Sequence, residues 1–444
     1  MSPKIRDSKF EIRSSGPKGL VLVGVLWVVV VFMVIAVAVG RRSRLDTRVC
    51  LVGTEELRCK WACRAGGETA IAVLNEDLRA SDGLTDLWSE NEEDFNDVGL
   101  EGCRFTVSVV DEASKLNVNT ATKEQLLGLE YMSEEIADAI IDWRDKNETP
   151  SEAGVEGGYY QNLRYGYVIR NGSFKTIREL LLVKGVTAEL LYGEDTNFNR
   201  KLDYNERDGD ESPPTDDKDD ELDKGWIAYL TCYSYDKNRD AGGNERTDIN
   251  EADEEKLQES LEIKKSYAKW IVENRENNQY KSIADLINNR SPKKAKEDSG
   301  EDSDEAEPLD LETFSRIADK ITISDDEKIE GRVNINTAPK AVLATLFGGD
   351  EAAERLADEI ITYRESLMMG MQSIAEVMKV GSMSIDTFKK VANYITTRSD
   401  VFTVRCFARA DRGDVSGARL QTEAVVDRSS TPCVVLYWYQ GANN

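Results

Sequence analysis

The sequence predicts an α+β protein in which a long N-terminal transmembrane and stalk helix carries an antiparallel sheet, and a large all-helical insertion interrupts that sheet. Three observations predict this: an uncharged apolar run of 21 residues near the N-terminus, alternating β-branched runs on either side of a long middle segment, and a helical motif that recurs three times within that segment. The 444 residues, 40% of them hydrophobic, give room for about two to four domains. Asp and Glu number 83 against 57 Lys and Arg, a formal charge of -26 that repels a phosphate backbone, so no nucleic-acid partner is expected. The chain has no histidine, which removes Ser-His-Asp and Cys-His nucleophile systems and imidazole metal sites. Most hydrolase mechanisms go with them.

Residues 1–19 form a leader with Lys4, Arg6, Lys9, Arg13 and Lys18, ending at Gly19. Residues 20–40 follow as a transmembrane helix, because 21 residues at roughly 1.5 Å each cross the roughly 30 Å hydrocarbon core. Arg41, Arg42, Arg44 and Arg48 come next, so both flanks are basic and the positive-inside rule alone does not set the orientation. Residues 41–110 hold the stalk, with Ala62, Ala65, Ala70, Ile71, Val73 and Leu74 at near-helical spacing and a kink expected at Gly66-Gly67, and then the first strand, Cys103 to Val110. The runs Val401–Ala408, Leu420–Val426 and Cys433–Tyr439 give the closing strands within 397–444.

The middle splits into a first helical domain, 111–245, and a second, 246–396. Leu116-Asn117-Val118-Asn119-Thr120-Ala121, Thr247-Asp248-Ile249-Asn250-Glu251-Ala252 and Val333-Asn334-Ile335-Asn336-Thr337-Ala338 are three copies of one motif. Asn119, Asn250 and Asn336 are expected N-caps, and Arg144, Arg275 and Arg364 follow them at 25, 25 and 28 residues. Residues 291–310 are charged and apolar-poor, and are expected to be a disordered loop.

Residues 195–206 fit the twelve-residue EF-hand ligand pattern. A hard cation takes six to eight oxygens, and alternate side chains of a curling loop point inward to supply them. Asp195, Asn197, Asn199 and Glu206 would ligate calcium directly, Lys201 through its carbonyl, and Asp203 directly or through water. Arg200 stands where glycine is usual, at a cost in backbone conformation. A weaker acidic stretch, Asp216 to Asp223, is interrupted by Lys218. Among seven cysteines, Cys406 and Cys433 fall on strands expected to be neighbours and form the candidate disulfide; Cys59 and Cys63, four apart on the stalk helix, have poor geometry for bonding each other.

Lys18-Gly19 followed by Leu20 resembles the class III signal of type IV pilins and pseudopilins, which implies cleavage between Gly19 and Leu20 by a prepilin peptidase. Leu26-Trp27, and Gly24 where most pilins carry Glu, resemble one family in particular, protein K of the general (type II) secretion pathway. The run Glu179 to Thr187, followed by Leu190-Leu191-Tyr192-Gly193 and Tyr229 to Ser234, looks like that family too. The resemblance implies a pilin-like sheet, helix-hairpin-helix-like repeats, a single-pass inner-membrane anchor and a periplasmic head that binds calcium. It further implies a non-enzymatic minor pseudopilin at the filament tip, with I-type and J-type minor pseudopilins and the major pseudopilin as partners. The repeats also resemble helix-hairpin-helix modules of DNA-uptake proteins, so the alternative is a membrane-anchored DNA receptor. The hairpin positions argue against it, since only Gly348-Gly349 supplies glycines and Asp350 follows them.

Overall fold

In the computed structural model, the described residues are 18–195, 202, 206, 207, 209, 218, 220–277, 279–287, 306–411 and 417–442. No proline falls between residues 18 and 76, and the first helix, α1 (Lys18–Glu76), continues without a break through Gly66-Gly67. Val21 to Val39 are exposed along its first part, where the run is long and apolar enough to cross a membrane. Further on, Glu55, Cys59, Ala62, Cys63, Gly66, Ala70 and Leu74 turn inward at three- and four-residue spacing, the stripe by which a helix buries one face.

That face lies on a five-stranded antiparallel sheet of β1 (Val98–Leu100), β2 (Cys103–Asp111), β3 (Val401–Ala410), β4 (Arg419–Asp427) and β5 (Val434–Ala442), ordered β1-β2-β3-β4-β5. The order is a plain meander except that the link from β2 to β3 holds nearly three hundred residues. Register places Cys406 beside Val107 and Thr422, and Cys103 beside Ala410. Phe105, Val107, Phe402, Val404, Cys406 and Ala408 meet the helix in one core. Gly66 is where the two layers touch most closely: a Cβ there would come within 2.6 Å of Cys406 Sγ and 2.9 Å of Phe105 and Val107.

The insertion is built from three units of one plan. Each opens with a two-residue strand, continues through a helical hairpin and a 3-10 turn, and closes with a second two-residue strand parallel to the first. The hairpins are Lys123–Leu127 with Glu134–Arg144, Glu254–Leu261 with Lys265–Asn277, and Lys340–Leu346 with Glu351–Glu365. The 3-10 turns are Ile177–Leu182, Ile283–Leu286 and Ile374–Lys379. The opening and closing strands are Leu116–Asn117 with Leu230–Thr231, Thr247–Asp248 with Ile321–Thr322, and Val333–Asn334 with Ile395–Thr396. All three units share one hydrophobic core, separate from that under α1. At the edge of the expected disordered loop, residues 306–310 are ordered: Leu309 is buried and Asp310 caps the helix Leu311–Ile317. Residues 291–305 lie outside the described residues.

Candidate functional site

The recurring Asn and Arg define the units, but by a different contact from the one their positions predict. Thr122 and Asp253 are the N-caps of the first two hairpins, and Pro339 holds the third cap position. Asn119 instead clamps the chain ahead of the 3-10 turn: its Nδ2 donates to the Phe174 carbonyl at 3.1 Å and its Oδ1 accepts the Phe174 N–H at 2.7 Å. Asn250 makes the same pair with Tyr280, and Asn336 with Met371. The residue two before each clamp accepts its backbone N–H, an Asx turn that fixes the side chain's direction. Arg144, Arg275 and Arg364 reach back to carbonyls of the same motif, Val118 and Ala121, Ile249, and Ile335 and Ala338. The hairpins serve contacts within the protein as well. Gly349 packs on Gly128 of the first unit, where an added Cβ would come within 2.9 Å of Gly128 Cα, and Trp226 Nε1 donates to the Glu130 carbonyl at 2.9 Å.

Of the six candidate calcium ligands, Asp195 and Glu206, the first and last positions, are buried; Asn197, Asn199, Lys201 and Asp203 lie outside the described residues. The base of the loop is a close crossing of two glycines with positive φ. Gly193 and Gly225 leave no room for a Cβ on either, since one on Gly193 would lie 2.3 Å from the Asp223 carbonyl. Glu194 N–H donates to that carbonyl at 2.9 Å, and Glu194 Oε2 accepts the Asp223 N–H at 3.2 Å. In the weaker acidic stretch, Asp220 pairs with Arg207 at 2.6 Å.

The sequence gives no sign of the charged seam that joins the two cores. Arg428 is buried, its guanidinium 4.7 Å from the Phe402 ring centre, and it pairs with Asp77 at 2.5 Å and with Asp82. Asp82 accepts the Ser399 N–H at 2.7 Å, while Asn334 Nδ2 donates to the Asp82 carbonyl, to Ser399 Oγ and to Asp111 Oδ2. Burial pushes the Asp82 carboxyl up to about 7 against the opposing pull of Arg428, and burial raises Asp111 as well. These partners lie hundreds of residues apart, beyond any local pattern.

The helix α1 runs through Gly19 and Leu20, the two residues that flank the expected cleavage point. The Cys406–Cys433 pairing does not fit the sheet. The strand β4 separates β3 from β5, and Cys406 stands opposite Thr422 while Cys433 precedes Val434, opposite Asp427. Cys63 Sγ instead lies 3.5 Å from the Cys406 carbonyl, and Cys59 Sγ lies 3.7 Å from Cys103 Sγ.

A pilin-like layer, an apolar helix running onto a meander sheet, is here joined to helix-hairpin-helix units set between its second and third strands. Residues 113–192 match a family model described as "Type II secretion system (T2SS), protein K", first domain, and residues 333–398 match a second model of that description. They coincide with the first unit up to the loop and with the whole third unit. These two stretches of the chain are thus similar to the protein K family of type II secretion systems. Relatives named type II secretion system protein K include one from Pseudomonas aeruginosa, 29% identical over 38% of this chain and 58% of its own length. One from Klebsiella pneumoniae is 24% identical over 39% of this chain and 59% of that protein, and one from Aeromonas hydrophila is 25% identical over 39% and 60%. The chain thus spans about three-fifths of the relatives it matches. It is also similar to a chain in the crystal structure of the GspK-GspI-GspJ complex from enterotoxigenic Escherichia coli, with a TM-score of 0.48 and 14% identity, covering 90% of this chain and 99% of that one. None of these matches supports the DNA-receptor alternative.

Proposed function

We propose that this chain is a minor pseudopilin of a type II secretion system, anchored in the inner membrane by residues 20–40 and placed at the tip of the periplasmic filament. The observation that carries the reading is the unbroken helix Lys18–Glu76, bare and apolar in its first part and packed on a sheet in its second. Such a helix serves first as an anchor and then, once drawn from the bilayer, as a packing element against neighbouring helices. The insertion sits on the β2–β3 link, so its bulk is carried by the head and hinders addition of a further subunit above. In this reading prepilin peptidase cuts between Gly19 and Leu20, the I-type and J-type minor pseudopilins and the major pseudopilin are the partners, and the role is structural, not enzymatic. A host strain lacking the chain is expected to stop exporting its type II substrates and to recover when the chain is restored; undiminished export without it contradicts the proposal.

Calcium belongs to the same proposal. What supports it is the oxygen-rich donor set of residues 195–206, together with the buried carboxylates Asp195 and Glu206 at its two ends and the glycine crossing that closes its base. A cation bound only by the folded head at a hundred times its dissociation constant would add about 2.7 kcal/mol to stability. The variant Asp195→Ala should therefore melt lower than the parent in calcium and lose its response to chelator. A chelator response equal to the parent's would remove calcium from the account.

A further inference from the structure

Four of the seven cysteines stand in the interface between α1 and the sheet, and they stand there as two pairs. Cys59 and Cys63 are one helical turn apart on the buried face of α1, and each meets a different strand. Cys59 Sγ is 3.7 Å from Cys103 Sγ, at the start of β2. Cys63 faces Cys406 in the middle of β3, its Sγ 3.5 Å from the Cys406 carbonyl. Among the described residues, no group of three or more acidic or thiol ligands includes any of these sulfurs. A structural thiolate metal site gathers four ligands round one ion, so the arrangement suits pairwise bonding.

We propose that Cys59–Cys103 and Cys63–Cys406 are two disulfide sites, which stitch the stalk helix covalently to the adjacent strands β2 and β3. The proposal rests on the reading that the head lies outside the cytoplasm, where disulfide oxidants persist. For each bond, one thiolate attacks a small-molecule or protein disulfide, and the second then displaces the mixed disulfide. The oxidant leaves as two thiols, having taken up two electrons and two protons per bond. Burial pushes the Cys59 thiol up to about 12, so it is a poor nucleophile once the interface has closed, and the bonds form as the helix docks. Each bond joins segments far apart in sequence, so that a pull on the helix is borne by the sheet through covalent links. Gly66, one turn past Cys63 and against Cys406 Sγ, holds the layers at the close approach this requires.

The test is non-reducing peptide mapping of the full chain, once as extracted from its host under alkylation and once after denaturation, reduction and refolding in a glutathione redox buffer. Arg58, Lys60 and Arg64 let trypsin separate Cys59 from Cys63, so the two links are read independently. The expected result is one peptide joining Cys59 to Cys103 and another joining Cys63 to Cys406, with Cys50, Cys232 and Cys433 alkylated. Seven alkylated cysteines in both samples, or a peptide joining Cys406 to Cys433, overturns the pairing. Links found only in the refolded sample support the pairing and contradict the placement of the head outside the cytoplasm. A Cys103→Ser chain should release Cys59 to alkylation while keeping the Cys63–Cys406 link, and loss of both links would contradict two independent sites.

Discussion

The helix-and-sheet layer and the helical insertion hold together by different means. The insertion repeats a short polar clamp three times: one amide side chain pins a strand of backbone, and one arginine draws the motif's carbonyls together. Each clamp closes within about sixty residues, so each unit has its own closure as well as a share of the common core. The layer has no such repetition. It depends on small residues that let a helix lie close on a sheet, and on the buried Arg428 that ties the end of that helix to the last strands. Damage to the layer should therefore be general, and damage to one clamp local.

The largest effect should come from Arg428→Met, which leaves Asp77 and Asp82 without their cation in the seam. Removing one partner of a buried ion pair costs about 3–5 kcal/mol, and denaturant melts of the head should show that loss across the whole transition. A change under 1 kcal/mol, or one confined to a separate sub-transition, would show that the seam does not couple the two regions. Next comes Gly66→Ala. Alanine gains about 1 kcal/mol in helix propensity over glycine, but the new Cβ presses on Cys406, Phe105 and Val107 in a filled core, where overpacking costs about 1–3 kcal/mol. A net loss is expected, and a raised melting temperature would mean that the layers can separate without cost.

Asn336→Ala should be the milder injury, about 1–3 kcal/mol, because it orphans the buried N–H and carbonyl of Met371. Asn250→Ala should cost less, since its clamp on Tyr280 is only partly buried. Hydrogen exchange should show the loss within the mutated unit; loss spread evenly over all three would contradict independent clamps.

The smallest effect concerns pH. The Asp82 carboxyl is raised from the ordinary 3.8 to about 7, chiefly by burial, and burial also raises Asp77, Asp111 and Asp400 around the same seam. Between about pH 4 and 7 the folded head thus binds more protons at these groups than the unfolded chain does. Their contribution to stability falls as pH rises through that window and is greatest on its acid side. Denaturation midpoints should therefore decline toward neutral pH, and Asp82→Asn should flatten the slope. An unchanged slope in that variant would contradict the role of Asp82.

The same contrast explains what the sequence made legible. The apolar run, the alternating strands from Cys103 onward and the thrice-repeated motif are local patterns, and the structure shows each of them. The short strand Val98–Leu100 is not legible because three residues are too few to show alternation. Asn119, Asn250 and Asn336 look like caps because each precedes a helix, whereas the backbone each one clamps lies 55, 30 or 35 residues further on. The pairing of Arg428 with Asp82 and the meeting of Cys63 with Cys406 span still greater distances and follow only from the order of strands. The loop of residues 195–206 reads clearly as a donor pattern, yet its closure by Gly193 against Gly225 depends on chain that returns thirty residues later.

The central claim is that α1 begins as a cytoplasmically cleaved anchor and ends as the filament-packing stalk of the head. The intact mass and N-terminal sequence of the protein recovered from its host membranes test it most directly. The account predicts a chain beginning at Leu20; a chain still carrying Met1 or Ser2 ahead of an uncut Gly19–Leu20 bond would contradict it.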